Sequence, residues 1–295
     1  MKLTGRRKSQ NVEDRRGGKM TTGIVGGGVG GIIIAVLFVL FSGGDFGNVI
    51  QQIGESGILN GSQQTSSNEP YVGSEQEERL KVETEQILAS TEDVWMRRFK
   101  AMGKTYKAPT LVFYTGATPT GCGTGQAAMG PFYCSADEKI YIDLSFFMEM
   151  KATLGIEQAT FVYAYVIAHE VGHHVQYLLG DLDRAHQRMS QLGANSADAN
   201  RVSVQIELQA DFLAGVWGHD EQQLFNSLEK GDLEKALDAA VKIGDDYLQK
   251  KAQGRADERT FTHGTSAQRQ RWFQKGFQTG DLNQGNTFAV PYNRL

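Results

Sequence analysis

Three of the six histidines in this 295-residue chain fall between positions 169 and 174. His169, Glu170, Val171, Gly172 and His173 read H-E-x-x-H. On a helix, residues four apart lie on one face, so two imidazoles can grip one zinc ion. Glu170 stands beside that face, where a carboxylate can hold and deprotonate a zinc-bound water. In a chain of this composition the motif arises by chance on the order of 1% of the time. Two histidines make half a site, and a catalytic zinc takes a third protein ligand. Downstream, SVQIELQADFLAGVWGHD holds Glu207 and Asp211 four apart, in E-x-x-A-D. The spacing suits Glu207 as third ligand and Asp211 as acceptor for the outer nitrogen of His169. Apolar neighbours such as Ile206, Leu208 and Phe212 bury that helix, where unpaired carboxylates would be costly.

Other candidates lie outside the motif. His263 in FTHGTSAQRQRWF precedes a predicted helix and can enter the site from a loop to stabilise an oxyanion. Arg269 can steady the acidic cluster or bind a substrate carboxylate. His174 follows His173 directly and points about 100° away, as a neighbour rather than a ligand. His186 and His219 lie in polar stretches and read as surface groups. The loop around GCGTG is a poor dinucleotide fingerprint, since no helix pattern follows it.

The elements that must position these groups are legible in outline. Residues 74–103 read as a helix opened by Ser74 and Glu77 in a capping-box pattern. PTLVFYTG reads as a strand, and PFYC with KIYIDL as a hairpin. Helices are predicted over about 145–153, 157–180, 182–193, 197–218, 220–229, 231–252 and 265–278. The motif lies inside the second of these, with Val162, Val166 and Ile167 before it and Val175, Leu178 and Leu179 after. Strands first and helices after make the class α+β, mostly helical. No long-period repeat is visible.

Composition excludes several functions. Two Cys rule out a disulfide-dense scaffold and a Cys-only zinc site. A net charge of −4 argues against a nucleic-acid partner. That average conceals a split: residues 1–20 carry seven basic side chains against two acids, a surplus of five, which leaves the remainder at −9. From Gly23 to Phe41 no residue is charged, a run of about 28 Å as a helix, close to the hydrocarbon thickness of a bilayer. The expected organisation is a basic cytoplasmic tail (1–20), a transmembrane signal anchor (21–42), a flexible Gly/Ser/Gln/Asn tether (43–73) and a metallopeptidase domain (74–295). By the positive-inside rule this is single-pass in the bacterial inner membrane, N-terminus cytoplasmic and catalytic domain periplasmic. Gly23, Gly27 and Gly31 form a small-residue face suited to a homodimer. In that compartment a disulfide between Cys122 and Cys134 is permitted.

Taken together, GRRKSQNVEDRRG, GPFYCSADEKIYIDLSFF, AHEVGHHVQ, ELQADFLAGVW and THGTSAQRQRWF closely resemble the bacterial neutral zinc metallopeptidase family (YpfJ type). More distantly, the E-x-x-A-D helix and T-H-G-x-x-x-x-R are similar to zinc peptidases of the CAAX-processing/HtpX class of gluzincins, which commonly have Pro where this chain has Gly264. The resemblance implies a zincin-like fold whose edge strand binds an extended substrate antiparallel. The hairpin of Pro131–Cys134 and Lys139–Leu144 is the candidate edge. The expected activity is a membrane-anchored endopeptidase, with one Zn2+ per chain on His169, His173 and Glu207 and a peptide or protein substrate. Two rivals are a silent zinc-bearing peptide-binding scaffold and a deformylase-like amide hydrolase with Cys134 as a ligand.

Overall fold

The computed structural model describes residues 1–17, 71–193 and 196–295. A four-stranded sheet has the order β1 (Val12–Asp14), β2 (Thr110–Phe113), β6 (Lys139–Ile142), β5 (Phe132–Cys134). The first two pairings are parallel; β5 runs antiparallel to β6, with Phe132 opposite Tyr141. A separate hairpin, β3 (Ala117–Thr120) and β4 (Gly123–Gln126), precedes β5. The edge strand β5 carries the segment expected at the substrate-binding edge.

Eight helices are described: α1 (Glu75–Ala101), α2 (Ser145–Leu154), α3 (Thr160–Leu179), α4 (Asp181–Leu192), α5 (Ala197–Phe225), α6 (Asp232–Lys242), α7 (Asp245–Gln253) and α8 (Ser266–Thr279). The mostly helical α+β class holds. Ser74 caps α1 by accepting from Glu77 N at 3.2 Å. At the centre lies α3, packed against α1, α5, α6 and β5, with Phe161, Val162, Val171 and Val175 fully buried. Burying such side chains stabilises the fold by roughly 1.5–3 kcal/mol each. The site's main helix is thereby held in the core.

Two boundaries differ from the sequence pattern, each through a glycine that meets another element. The helices expected over 197–218 and 220–229 form one helix through Phe225. A Cβ on Gly218, at that expected break, would lie 3.1 Å from Phe277 of α8, so this glycine serves close packing rather than a turn. Conversely, the helix expected over 231–252 is broken after Lys242. A Cβ on Gly244 would come within 2.4 Å of the Ser266 backbone nitrogen, so the chain yields there to the start of α8. The break places Asp245 at the head of α7.

The N-terminal segment overturns the expected topology. Residues 12–14 form β1 inside the body's own sheet, with Val12 opposite Leu111. The basic side chains pair with the acidic body: Arg6 with Glu221 at 2.8 Å, Arg7 with Glu92 at 2.9 Å, Arg16 with Glu77 at 3.0 Å. Leu3 is buried in the core. A chain that crossed a bilayer once between this segment and the body would leave the two on opposite faces, yet β1 pairs with β2 in one sheet. The expected anchor (21–42), the Gly23/Gly27/Gly31 face and all but residues 71–73 of the tether lie outside the described residues. Among the described residues no helix is long and apolar enough to cross a membrane. The single-pass inner-membrane placement, with a cytoplasmic tail and a periplasmic catalytic domain, is therefore withdrawn.

Candidate metal centre and catalytic cleft

The two helices that carry the motif residues meet where both are narrow. A Cβ on Gly172 of α3 would lie 3.0 Å from the Ala210 carbonyl oxygen of α5. The variable Gly172 of H-E-x-x-H thus lets the backbones approach, and the flanking side chains converge. His169 Nε2 lies 3.1 Å from one oxygen of Glu207 and His173 Nε2 lies 3.4 Å from the other. All three ligand atoms fall within 4.8 Å of one another. A tetrahedral zinc site with bonds of about 2.0–2.1 Å has donor separations of ~3.3 Å. The donor set and these distances fit a zinc ion, and three protein donors suit a catalytic rather than a structural site.

The outer nitrogens decide which imidazole atoms are free. His169 Nδ1–H donates to Asp211 Oδ1 at 2.8 Å. The same carboxylate accepts from the Tyr165 hydroxyl at 2.7 Å and from Arg269 Nε and Nη2 at 2.8 and 3.0 Å. Arg269 is buried, so of its two expected roles the structure places it on the acidic cluster. His173 Nδ1–H donates to Gln176 Oε1 at 2.9 Å. The Gln176 amide nitrogen donates to Ile206 O at 2.7 Å and to Gln209 Oε1 at 3.0 Å, which fixes its oxygen toward His173. At each histidine the outer Nδ1 is engaged, which leaves Nε2 as the atom that faces Glu207.

The field at the site favours positive charge. Burial opposes a charge on His169, but Asp211 and Glu207 outweigh it and push its pKa up to about 10. A cation between Nε2 and Glu207 would satisfy the same field. Burial works against ionisation of Asp211, yet Arg269 and His169 hold it down at about 2. Burial raises Glu170 above the ordinary carboxylate range, against the pull of His169 and His173. A carboxylate raised in this way suits a group that must accept and return a proton.

A cleft of about 500 Å³ opens over these residues. It is lined by His169, Glu170, His173 and Glu207, with Phe132 and Tyr133 of the edge strand. His263 lines the cleft too, its side chain 41% exposed. Its loop is gathered by Asp245, whose Oδ2 accepts from the backbone N–H of Thr262, His263 and Gly264 at 2.8, 2.7 and 2.9 Å. Asp245 Oδ1 lies 3.4 Å from His263 Nδ1. Gly264 has φ +94°, which the fixed φ of proline cannot reach, so glycine suits this loop. Cys122 and Cys134 are joined by a disulfide that ties the β3–β4 turn to β5 at the cleft rim. His174 is a strut: Nε2–H donates to Lys107 O at 2.7 Å and Nδ1 accepts from the Tyr133 hydroxyl at 2.9 Å. His186 is exposed, as its polar stretch suggests, and also lines the cleft, whereas the half-buried His219 bonds Phe277 O at 2.8 Å.

Sequence reasoning missed Gln176, Gln209, Tyr165 and Asp245. Gln176 carried a faint signal, three residues after His173 and so on the same face. Asp245 carried none.

Comparison with known proteins places these residues in a family. The model described as "Putative neutral zinc metallopeptidase" matches residues 1–288. The chain is 49% identical over 298 residues to "Uncharacterized protein YpfJ" of Escherichia coli (strain K12), covering 98% of this chain and 99% of that one. It is 40% identical over 210 residues to "Uncharacterized protein Rv2575" of Mycobacterium tuberculosis (strain ATCC 25618 / H37Rv), covering 68% of each. No solved structure matches. Because the match takes in the N-terminal strand and the cleft alike, and not the zinc motif alone, the chain belongs to the neutral zinc metallopeptidase family.

Proposed function

We propose that the protein is a zinc-dependent endopeptidase. His169, His173 and Glu207 hold one zinc ion, and the observation that carries the reading is their convergence with both outer nitrogens already bonded. When bound, zinc supplies a Lewis acid that polarises the scissile carbonyl and acidifies water. The chain's own residues do the rest. Glu170 takes a proton from the attacking water as its oxygen bonds to the carbonyl carbon. It then passes that proton to the departing amine as the C–N bond breaks, so charge and atoms balance. His263, steadied through Asp245, donates a hydrogen bond to the carbonyl oxygen as charge grows there. The edge of β5, unpaired among the described residues, offers its backbone to an extended peptide laid antiparallel along the cleft.

Glu170→Gln is expected to lower peptide hydrolysis by about 10²–10⁴-fold while zinc content stays at one per chain. Undiminished hydrolysis, or purified protein without stoichiometric metal, would sink the reading. An intact Glu170 counts against the silent scaffold. The deformylase-like alternative needs Cys134 as a thiolate, and the disulfide with Cys122 removes it. Changing both cysteines to Ser should leave zinc bound; loss of zinc would favour that rival.

A further inference from the structure

A second cavity of about 490 Å³ lies on the other side of α4 and shares no lining residue with the catalytic cleft. Its size is within the roughly 300–1,000 Å³ of small-ligand sites. The helix α4 is a common wall. Leu182, His186 and Met189 face the catalytic cleft; Asp181, Arg184, Ala185 and Arg188 face the second cavity. Its other walls are apolar, from Leu179, Phe212, Leu213 and Phe288, the last 40% exposed. Two guanidinium groups stand at its rim against one carboxylate. Arg184 pairs with Asp181, whereas Arg188 is exposed and makes no ion pair among the described residues.

The buried floor of this cavity is Gln209, and from there the hydrogen bonds run one way to the metal centre. Gln209 Nε2 donates toward Asp181 Oδ2 at 3.4 Å, Gln176 Nε2 donates to Gln209 Oε1 at 3.0 Å, and His173 Nδ1 donates to Gln176 Oε1 at 2.9 Å. Each group donates away from the cleft, and a carboxylate in the second cavity ends the chain. The bonds are in series, so a change at the carboxylate end alters how the Gln176 oxygen holds the His173 ring.

We propose that the second cavity binds a small apolar carboxylate, and that its occupancy is felt at the metal centre through α4 and the Gln209–Gln176–His173 bonds. The apolar walls take the hydrocarbon part out of water, and the guanidinium of Arg188 matches a carboxylate fork. A carboxylate there also competes with Asp181 for Arg184, which leaves Asp181 freer to hold Gln209. This coupling rests on the reading of His173 as a zinc ligand; the binding site itself does not.

The test titrates the full chain, metal-free and zinc-loaded, with octanoate and with neutral octanol. Calorimetry should show one saturable octanoate site, with octanol bound at least ~10-fold more weakly. Arg188→Glu, an exposed change, should weaken octanoate by about tenfold or more, and Leu213→Trp should block it by filling the cavity. With octanoate saturating, the zinc Kd measured by chelator competition should shift ~5-fold or more, and Gln209→Leu should abolish the shift. No saturation in the low millimolar range, equal binding of octanol, or indifference to both Arg188→Glu and Leu213→Trp overturns the site. Full occupancy with an unchanged zinc Kd overturns the coupling. A chain that binds octanoate yet no zinc at all fails the metal reading instead, and so the two failures are told apart.

Discussion

The two histidines of the motif are supported in opposite ways. Behind His169 stands a buried, charged cluster of Asp211, Arg269 and Tyr165; behind His173 stand two neutral amides, Gln176 and Gln209. Both engage Nδ1 and turn Nε2 toward the site, but they do different work. The charged side sets the electrostatics of the site and joins α3, α5 and α8 across the core. The neutral side sets orientation, and it reaches toward the second cavity. A buried ion pair is sensitive to loss of one partner, while an amide costs less to disturb.

The largest effect should therefore come from the charged side. Asp211→Ala leaves Arg269 buried without its carboxylate, and removal of one partner from such a pair costs about 3–5 kcal/mol. Thermal denaturation should show a collapse of stability, and zinc affinity should fall with it. The double variant Asp211→Leu with Arg269→Met should recover much of the stability but none of the zinc affinity. If the single change is as mild as a surface substitution, the cluster is not the structural anchor its geometry implies.

The next effect is in pH. His169 has its folded pKa raised from 6.5 to about 10, so in metal-free protein its contribution to stability is full below pH 6.5 and lost as pH rises through about 10. Asp211 is the reverse: lowered from 3.8 to about 2, it contributes above pH 3.8 and loses that contribution, on the order of 2 kcal/mol, as pH falls through about 2. Zinc must displace the His169 proton. Its Kd should therefore fall by about tenfold per pH unit between those two His169 values, with one proton released on binding. Calorimetry in buffers of different ionisation enthalpy measures that proton. A flat Kd over this range would mean that the charged cluster does not govern the first ligand.

The same contrast explains what was legible beforehand. His169, Glu170 and His173 could be read because one helix turn brings them together without help from the fold. Glu207 and Asp211 could be read because two carboxylates four apart in an apolar helix need partners. Gln176 and Gln209 look like ordinary helix amides until Ile206 O shows what they must satisfy. Asp245 depends on a helix break that Ser266 imposes from across the molecule. The basic N-terminal residues are ion-pair partners of the acidic body, which their sequence neighbourhood does not reveal. A charge surplus beside an apolar run looks like a topology signal, and only the pairs with Glu221, Glu92 and Glu77 show what balances it.

The smallest effect should come from the neutral side, and its sign tests why that side is neutral. Gln176→Leu keeps the volume but removes the acceptor for His173, so zinc binding should weaken by about tenfold, with a stability loss of about 1–2 kcal/mol. Gln176→Glu would seem to copy Asp211 and strengthen the ligand. Yet the oxygen that replaces the amide nitrogen would face Ile206 O and Gln209 Oε1, two acceptors within 3.0 Å of the present donor. The carboxylate must then either repel both or carry a proton, and each outcome weakens the grip on His173. Zinc Kd should rise in the Glu variant as it does in the Leu variant. A tighter zinc in Gln176→Glu would show that the two sides are interchangeable and that the division between charge and orientation is false.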